Sequence, residues 1–330
     1  MHVARWGADP SQHAPFTVSN DLLSNPVALR RRAERDGYLF LRNVLDADLL
    51  QALRADILGA CAAHGWLDPQ YPILDGITRG PARIEGYSDY LEVYDEVQRL
   101  ERLHRLAHHP ALTAILASLF DAPLFVHPLA ICRLSFPNAP EQATPPHQDH
   151  PNNQGTPQLY AAWVPLGPCS RQLGSLAVLE GSHRYGVLPM RASRGAGNRT
   201  TMPRADLARL RWVSGDFDVG DVVIFHSLAV HRSLENRSAD QLRVSVDYRY
   251  TGLGQPISEI VLRPHFARLE WEDIYRGWQS RDGCYYWRDL PLHVVPYEVP
   301  PPVDPLELAD AAGARPTWIE RVRARLRALG

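Results

Sequence analysis

Between about residues 122 and 250 the chain runs as short apolar segments broken by turn residues, at 124–136, 158–166, 175–179, 221–225 and 242–250. Runs of this length and spacing predict an antiparallel sandwich or barrel. Upstream, residues 28–120 read as a helical support region with one short strand at 38–41. A helix over 27–36 closes on Gly37. Asp46 stands as an N-cap before Leu49, Leu50, Leu53, Ile57 and Cys61 at helical spacing, and Gly65 is a stop. A further helix begins near Pro110. Residues 191–212 interrupt the strand pattern with six arginines and several small residues, and read as a lid-like insertion. Residues 251–330 form an extension. Its aromatic stretch (Trp271, Tyr275, Trp278, Tyr285, Tyr286, Trp287) is expected to pack on the barrel. A Pro-rich tether follows at 296–305, then a last amphipathic helix carrying Trp318, Ile319, Val322 and Leu326. No repeat and no second-domain boundary is evident, so 1–330 is read as a single domain.

Composition narrows the function. With 330 residues, 45% hydrophobic and 22% charged, the chain has the profile of a soluble globular protein. A net charge of −2 gives no electrostatic surplus for nucleic acid or anionic lipid, so neither is expected as a partner. No run approaches the roughly 20 apolar residues of a membrane span. The start shows no basic-then-apolar leader, and a cytoplasmic location is expected. Cys61, Cys132, Cys169 and Cys284 form no CxxC pair, which suits reduced thiols better than a disulfide frame or zinc site. All 35 basic residues are Arg, which excludes a Lys Schiff base, a Lys nucleophile and a P-loop Lys.

The sharpest chemical feature is His147-Gln148-Asp149. On an extended segment, residues two apart face the same side, so an imidazole and a carboxylate would meet at one point. A third ligand is sought in the segment Gly220–His231, which offers His226 and His231. Two His and one carboxylate on one face hold non-haem Fe(II) and leave positions open for a co-substrate and dioxygen. Twelve residues after His231 comes Arg243, on a strand whose parity places Arg243, Ser245 and Asp247 on one face and Val244, Val246 and Tyr248 on the other. An arginine there could fork a carboxylate such as the far end of 2-oxoglutarate.

In this order the segments resemble the phytanoyl-CoA dioxygenase-like branch of the Fe(II)/2-oxoglutarate oxygenases. The matching pieces are Asp36-Gly37-Tyr38 with Arg42-Asn43-Val44-Leu45, His147-Gln148-Asp149, Ala162-Trp163-Val164-Pro165-Leu166 and Gly174-Ser175-Leu176. Leu179-Glu180-Gly181-Ser182-His183, Gly220-Asp221, His231-x-Ser233, Asn236-x-Ser238 and Arg243-x-Ser245 complete the set. It covers roughly residues 28–250. The resemblance implies a double-stranded β-helix (jelly roll, cupin-like) core with N-terminal helices packed on it. It implies iron on His147, Asp149 and His231, with Arg243 gripping the remote carboxylate of 2-oxoglutarate, Ser233 hydrogen-bonding nearby and Trp163 beside the co-substrate. Where relatives use a Lys to assist the co-substrate, this chain has none, and Arg133 is the candidate replacement. His226 is then a packed residue, His150 a rim residue and His183 a turn residue. In related halogenases the carboxylate ligand is lost; its presence here implies hydroxylation, or another oxidation such as desaturation or ring closure. The expected reaction consumes 2-oxoglutarate and O2, releases succinate and CO2, and oxidises a C–H bond of a small-molecule substrate. The rival reading is a metal-binding cupin-type protein without redox turnover: an isomerase, a hydrolase or a ligand-binding barrel. Substrate identity and oligomeric state are open at this level.

Overall fold

Helical capping and strand pairing together build a helix-backed sandwich. A computed structural model of the chain describes residues 9–192 and 199–298. Helix α1 (Pro26–Asp36) is capped by the Asn25 side chain, which accepts from the amide of Ala28, and ends on Gly37 at φ 81°. Glycine is required there, because a Cβ would collide with the His183 ring. Helix α2 (Ala47–Ala63) is capped by Asp46, which accepts from the amides of Asp48 and Leu49. Helices α3 (Ser88–Gln98), α4 (Glu101–Arg105) and α5 (Pro110–Ala117) follow. The first two are additions to the sequence reading.

Strands β1 (Tyr38–Leu41), β2 (Leu124–Ser135), β3 (Leu159–Pro165), β8 (Val222–His226) and β10 (Arg243–Gly252) form the larger sheet, in the order β1-β8-β3-β10-β2. Strands β4 (Leu176–Leu179), β7 (Trp212–Ser214) and β9 (His231–Ser233) form the smaller one, β7-β4-β9. All these pairings are antiparallel. The larger sheet buries one face under the helices, with Leu53, Ile57, Tyr94 and Leu116 meeting Ala162, Val246, Tyr248 and Tyr250. Its other face meets the smaller sheet through Trp163, Val178, Val213, Phe217 and Phe225. Two antiparallel sheets closed over one apolar layer are the sandwich that the strand pattern predicts and the jelly-roll core that the family resemblance implies.

Several family-matching pieces prove to be joints of this scaffold. Asp221 is buried and accepts from the amides of Asn43 and Asp218 while pairing with Arg42 at 2.5 Å. The Gly181 amide donates to the Asp36 carbonyl, and His183 Nε2 lies 2.8 Å from the carbonyl oxygen of Glu34. These contacts tie the N-terminal helices to the sheets.

The 191–212 segment is more structured than its composition suggests. A hairpin of β5 (Met190–Ala192) and β6 (Arg199–Thr201) stands within it, and β7 closes it. Arginines within it are engaged: Arg204 meets Asp206, Arg209 the Tyr185 hydroxyl and Arg211 Glu180. Arg194 lies outside the described residues. Beyond β10, the chain makes a parallel pair of β11 (Pro256–Ser258) and β12 (His293–Val295), and helix α7 (Trp271–Tyr275). Here Trp271, Tyr275 and Trp287 pack with Ile257 and Val261 against Phe125, Leu129 and Ile131 of β2. The tether beyond 298 and the last helix of the sequence reading lie outside the described residues. Among the described residues, no helix is long and apolar enough to cross a membrane.

Candidate metal centre

His147 and His231 are brought together by backbone pairing. The two residues face each other across an isolated antiparallel bridge, each amide donating to the other's carbonyl at 2.9 Å. Directly opposed residues project to the same side, and the two imidazole centroids stand 4.1 Å apart. Asp149 arrives differently from the extended reading. Its backbone is already helical (φ −72°, ψ −36°), because it opens the short helix α6 (His150–Asn153), and its amide is anchored on the Ser227 carbonyl at 2.9 Å. The turn nevertheless delivers its carboxylate to the imidazoles: Oδ1 lies 3.6 Å from His147 Nε2 and 3.7 Å from His231 Nε2.

The donor chemistry fits a divalent metal. His147 Nδ1 sits 2.8 Å from the Pro145 carbonyl and His231 Nδ1 3.0 Å from the Ala229 carbonyl. A carbonyl can only accept, so each Nδ1 carries a proton, and Nε2 is the nitrogen of each ring left facing Asp149 and available to a metal. Burial pushes the His231 pKa down to about 3, keeping the imidazole neutral. Burial works against the Asp149 carboxylate, yet the Arg249 guanidinium beside it holds its acid well below the usual carboxylate range. Two imidazole nitrogens and an ionised carboxylate on one side are a borderline-to-hard N2O set suited to Fe(II). Among the described residues, this is the one group of His, Cys, Asp and Glu close enough to hold an ion.

Arg243 is fully enclosed at the start of β10. Its Nη1 donates to Ser245 Oγ at 2.6 Å, its Nε has no partner, and it forms no ion pair with any described residue. Burial lowers its pKa from the ordinary value, but a guanidinium stays charged at neutral pH. A buried cation without a counter-ion is costly unless an anion binds there. Trp163 on β3 places its ring 5.9 Å from that guanidinium. Ser233, two residues past His231 on β9, accepts from the Thr144 amide at 2.7 Å and keeps its own O–H free to donate. Arg133 turns toward the cavity that His147 and Asp149 line. There it is ion-paired with Glu85 at 3.1 Å and lies 3.6 Å from Asp247. His226 does not join the triad; it packs beside Tyr160 and His183.

A cavity opens over His147 and Asp149. Leu129, Ile131, Ile260 and Phe266 give it an apolar wall, while Asn152, Asn153 and Arg199 are polar points on its lining. Thr200 and Thr201 bind the β5–β6 hairpin to the Pro146 carbonyl, one residue from His147. Sequence reasoning missed Arg249, which follows Arg243, Ser245 and Asp247 on the same face of β10 and reaches Asp149; continuing the parity by one step finds it. It also missed the wall at 260–267, where Phe266 and Ala267 adopt positive φ values of 64° and 47° in a segment without periodicity.

Comparison with known proteins places this geometry. The pattern of the phytanoyl-CoA dioxygenase (PhyH) family matches residues 33–245. A 1-deoxypentalenic acid 11-beta-hydroxylase of Streptomyces arenae is 31% identical over 242 residues, covering 69% of this chain and 82% of that protein. The peroxisomal phytanoyl-CoA dioxygenase of Rattus norvegicus is 24% identical, over 72% of each chain. Among solved structures, the epimerase SnoN in complex with Fe3+, alpha ketoglutarate and nogalamycin RO superposes with a TM-score of 0.51. It is 22% identical, over 69% of this chain and 84% of that one, a likeness of fold.

Proposed function

Because the chain belongs to the phytanoyl-CoA dioxygenase family, we propose that His147, Asp149 and His231 hold the metal on which its reaction runs. The protein is an Fe(II)- and 2-oxoglutarate-dependent dioxygenase, an enzyme that uses O2 and releases succinate and CO2. The observation that carries the assignment is the convergence of two Nε2 atoms and one carboxylate oxygen, with both Nδ1 atoms tied to carbonyls. When bound, the iron supplies the oxidising chemistry, coupling decarboxylation of the co-substrate to oxidation of a C–H bond.

The chain's own residues position and protect. Arg243 receives the remote carboxylate of 2-oxoglutarate, which gives its unmatched charge a counter-ion. Ser233 donates its free hydroxyl nearby, and Trp163 flanks the guanidinium. Arg133 takes no direct part in gripping the co-substrate in this reading, since Glu85 and Asp247 already balance it. The apolar wall of Leu129, Ile131, Ile260 and Phe266 excludes water and receives an aliphatic body, while Asn152, Asn153 and Arg199 address polar groups. The substrate is thus a small molecule with an apolar frame and a polar or acidic group, hydroxylated at an aliphatic carbon. The relative named for hydroxylating 1-deoxypentalenic acid supports this class. The β5–β6 hairpin serves as one wall of the site. Walls drawn from the loop at Glu85, the core and residues 260–267 make 9–298 one functional unit. Four free cysteines, three of them buried, suit the cytoplasm.

Succinate formation with Fe(II), 2-oxoglutarate, O2 and a panel of apolar-framed acids tests this reading. Succinate release that rises with one panel member and disappears in Asp149→Ala is expected. Release that persists in Asp149→Ala overturns the metal assignment, and activity that ignores Arg243→Ala points instead to a cupin-type isomerase or hydrolase.

A further inference from the structure

The two oxygens of Asp149 face different partners. Oδ1 is the atom turned to both imidazoles, whereas Oδ2 accepts from Arg249 Nη2 at 3.0 Å. Arg249 is buried on β10, and its other terminal nitrogen donates to Asp247. Asp247 is in turn 3.6 Å from Arg133, which pairs with Glu85 at the cavity. The result is a buried row of alternating charge, Asp149–Arg249–Asp247–Arg133–Glu85, that fixes the guanidinium from behind. A fork of this kind is rigid and directional, and a lysine could not bridge two carboxylates with the same geometry.

The arrangement has a consequence for coordination. A carboxylate can bind a metal through one oxygen or two. With two imidazoles and one carboxylate oxygen, a six-coordinate ion would keep three positions, enough for a chelating co-substrate and dioxygen. If the second oxygen also bound, only two would remain. We infer that Arg249 is a positioning residue that holds Asp149 to one-oxygen coordination and so keeps the dioxygen position open. The inference rests on the metal-centre reading above and adds a role for a residue outside it.

Nitric oxide, a spectroscopic stand-in for dioxygen, reads the open position directly. Wild type, Arg249→Lys and Arg249→Gln are loaded anaerobically with Fe(II) and 2-oxoglutarate, bound iron is quantified, and the electron paramagnetic resonance signal of the nitric oxide adduct is measured per bound iron. Full signal is expected in wild type. Arg249→Gln should lose most of it and bind Fe(II) about 10–100-fold more weakly, the usual effect of removing a partner behind a metal ligand. Arg249→Lys should fall between. A folded Arg249→Gln with wild-type iron affinity and wild-type signal overturns the inference, because a purely structural role would leave the signal per iron unchanged. An anaerobic crystal structure of the iron-loaded wild type decides the point without substitution. Oδ2 staying on Arg249 supports the inference; both oxygens on iron overturn it, whether or not the variants fold. A wild-type chain that takes up no Fe(II) overturns the metal centre itself, a separate failure.

Discussion

Strand β10 has two buried faces that do opposite work. One carries Val244, Val246, Tyr248 and Tyr250 into the helix-backed core. The other carries Arg243, Ser245, Asp247 and Arg249, every one of them enclosed. The first face is held by volume and by two hydroxyls, Tyr248 donating to the Leu103 carbonyl at 2.7 Å and Tyr250 to the Ala107 carbonyl at 2.8 Å. The second is held by charge pairing, and it leaves one charge, on Arg243, without a partner. Burying ions instead of aliphatic groups rarely stabilises a fold, so the contrast separates residues kept for stability from residues kept for chemistry.

Substitutions should sort along that line. The largest effect is expected at the centre the second face serves: His231→Ala should abolish Fe(II)-dependent succinate formation while the far-ultraviolet circular dichroism stays native. Residual turnover near the wild-type rate would break the assignment. Next comes Arg243→Met. It should raise the apparent KM for 2-oxoglutarate by roughly 10²-fold, because charge-assisted hydrogen bonds are worth about 1.5–3 kcal/mol each. Thermal stability without co-substrate should hold or rise, since a buried unpaired charge is removed. A fall in both stability and activity would mean that Arg243 belongs with the structural face.

A smaller effect is expected from pH on the helical side. Burial lowers the pKa of His104 to about 4, with its Nε2 2.8 Å from the Gln98 carbonyl. The folded state therefore holds a neutral imidazole that the unfolded chain would protonate below about 6.5. The unfolded state binds more protons in this window, so stability is complete above about 6.5 and is lost as pH falls toward 4. The slope is up to about 1.4 kcal/mol per pH unit for this group. Denaturation midpoints at pH 7.5 and 5.5 measure it, and His104→Gln should flatten the profile. The smallest change is Tyr248→Phe, which should cost about 1 kcal/mol through the lost hydrogen bond and leave kcat per folded molecule unaltered. A kcat change there would show that the two faces are coupled.

The sequence made the scaffold legible where local chemistry dictates structure. Asp46 before a helical stripe, Gly37 after one and the five apolar runs of the core each act through neighbours in the chain. Helix α3 was equally readable from Tyr90, Tyr94 and Val97 on one stripe and was passed over. The β5–β6 pair was not readable, since its three-residue strands carry no periodicity and are placed by Thr200 and Thr201 on Pro146. At the site, His147 and Asp149 were found through their spacing, although the backbone that joins them is a bridge followed by a helical turn. The third histidine was separated from His226 by the family resemblance. Arg249 escaped because its partner lies a hundred residues away, on a turn whose course only the folded chain reveals.

The family match stops at residue 245, yet Ile260, Pro264 and Phe266 stand against the cavity. The cavity wall is therefore written in two stretches of the gene: Leu129, Ile131 and Asn153 stand inside the matched stretch with the three candidate ligands, and the 260–266 part lies beyond it. Changes confined to the later stretch would reshape one side of the cavity while leaving His147, Asp149 and His231 untouched.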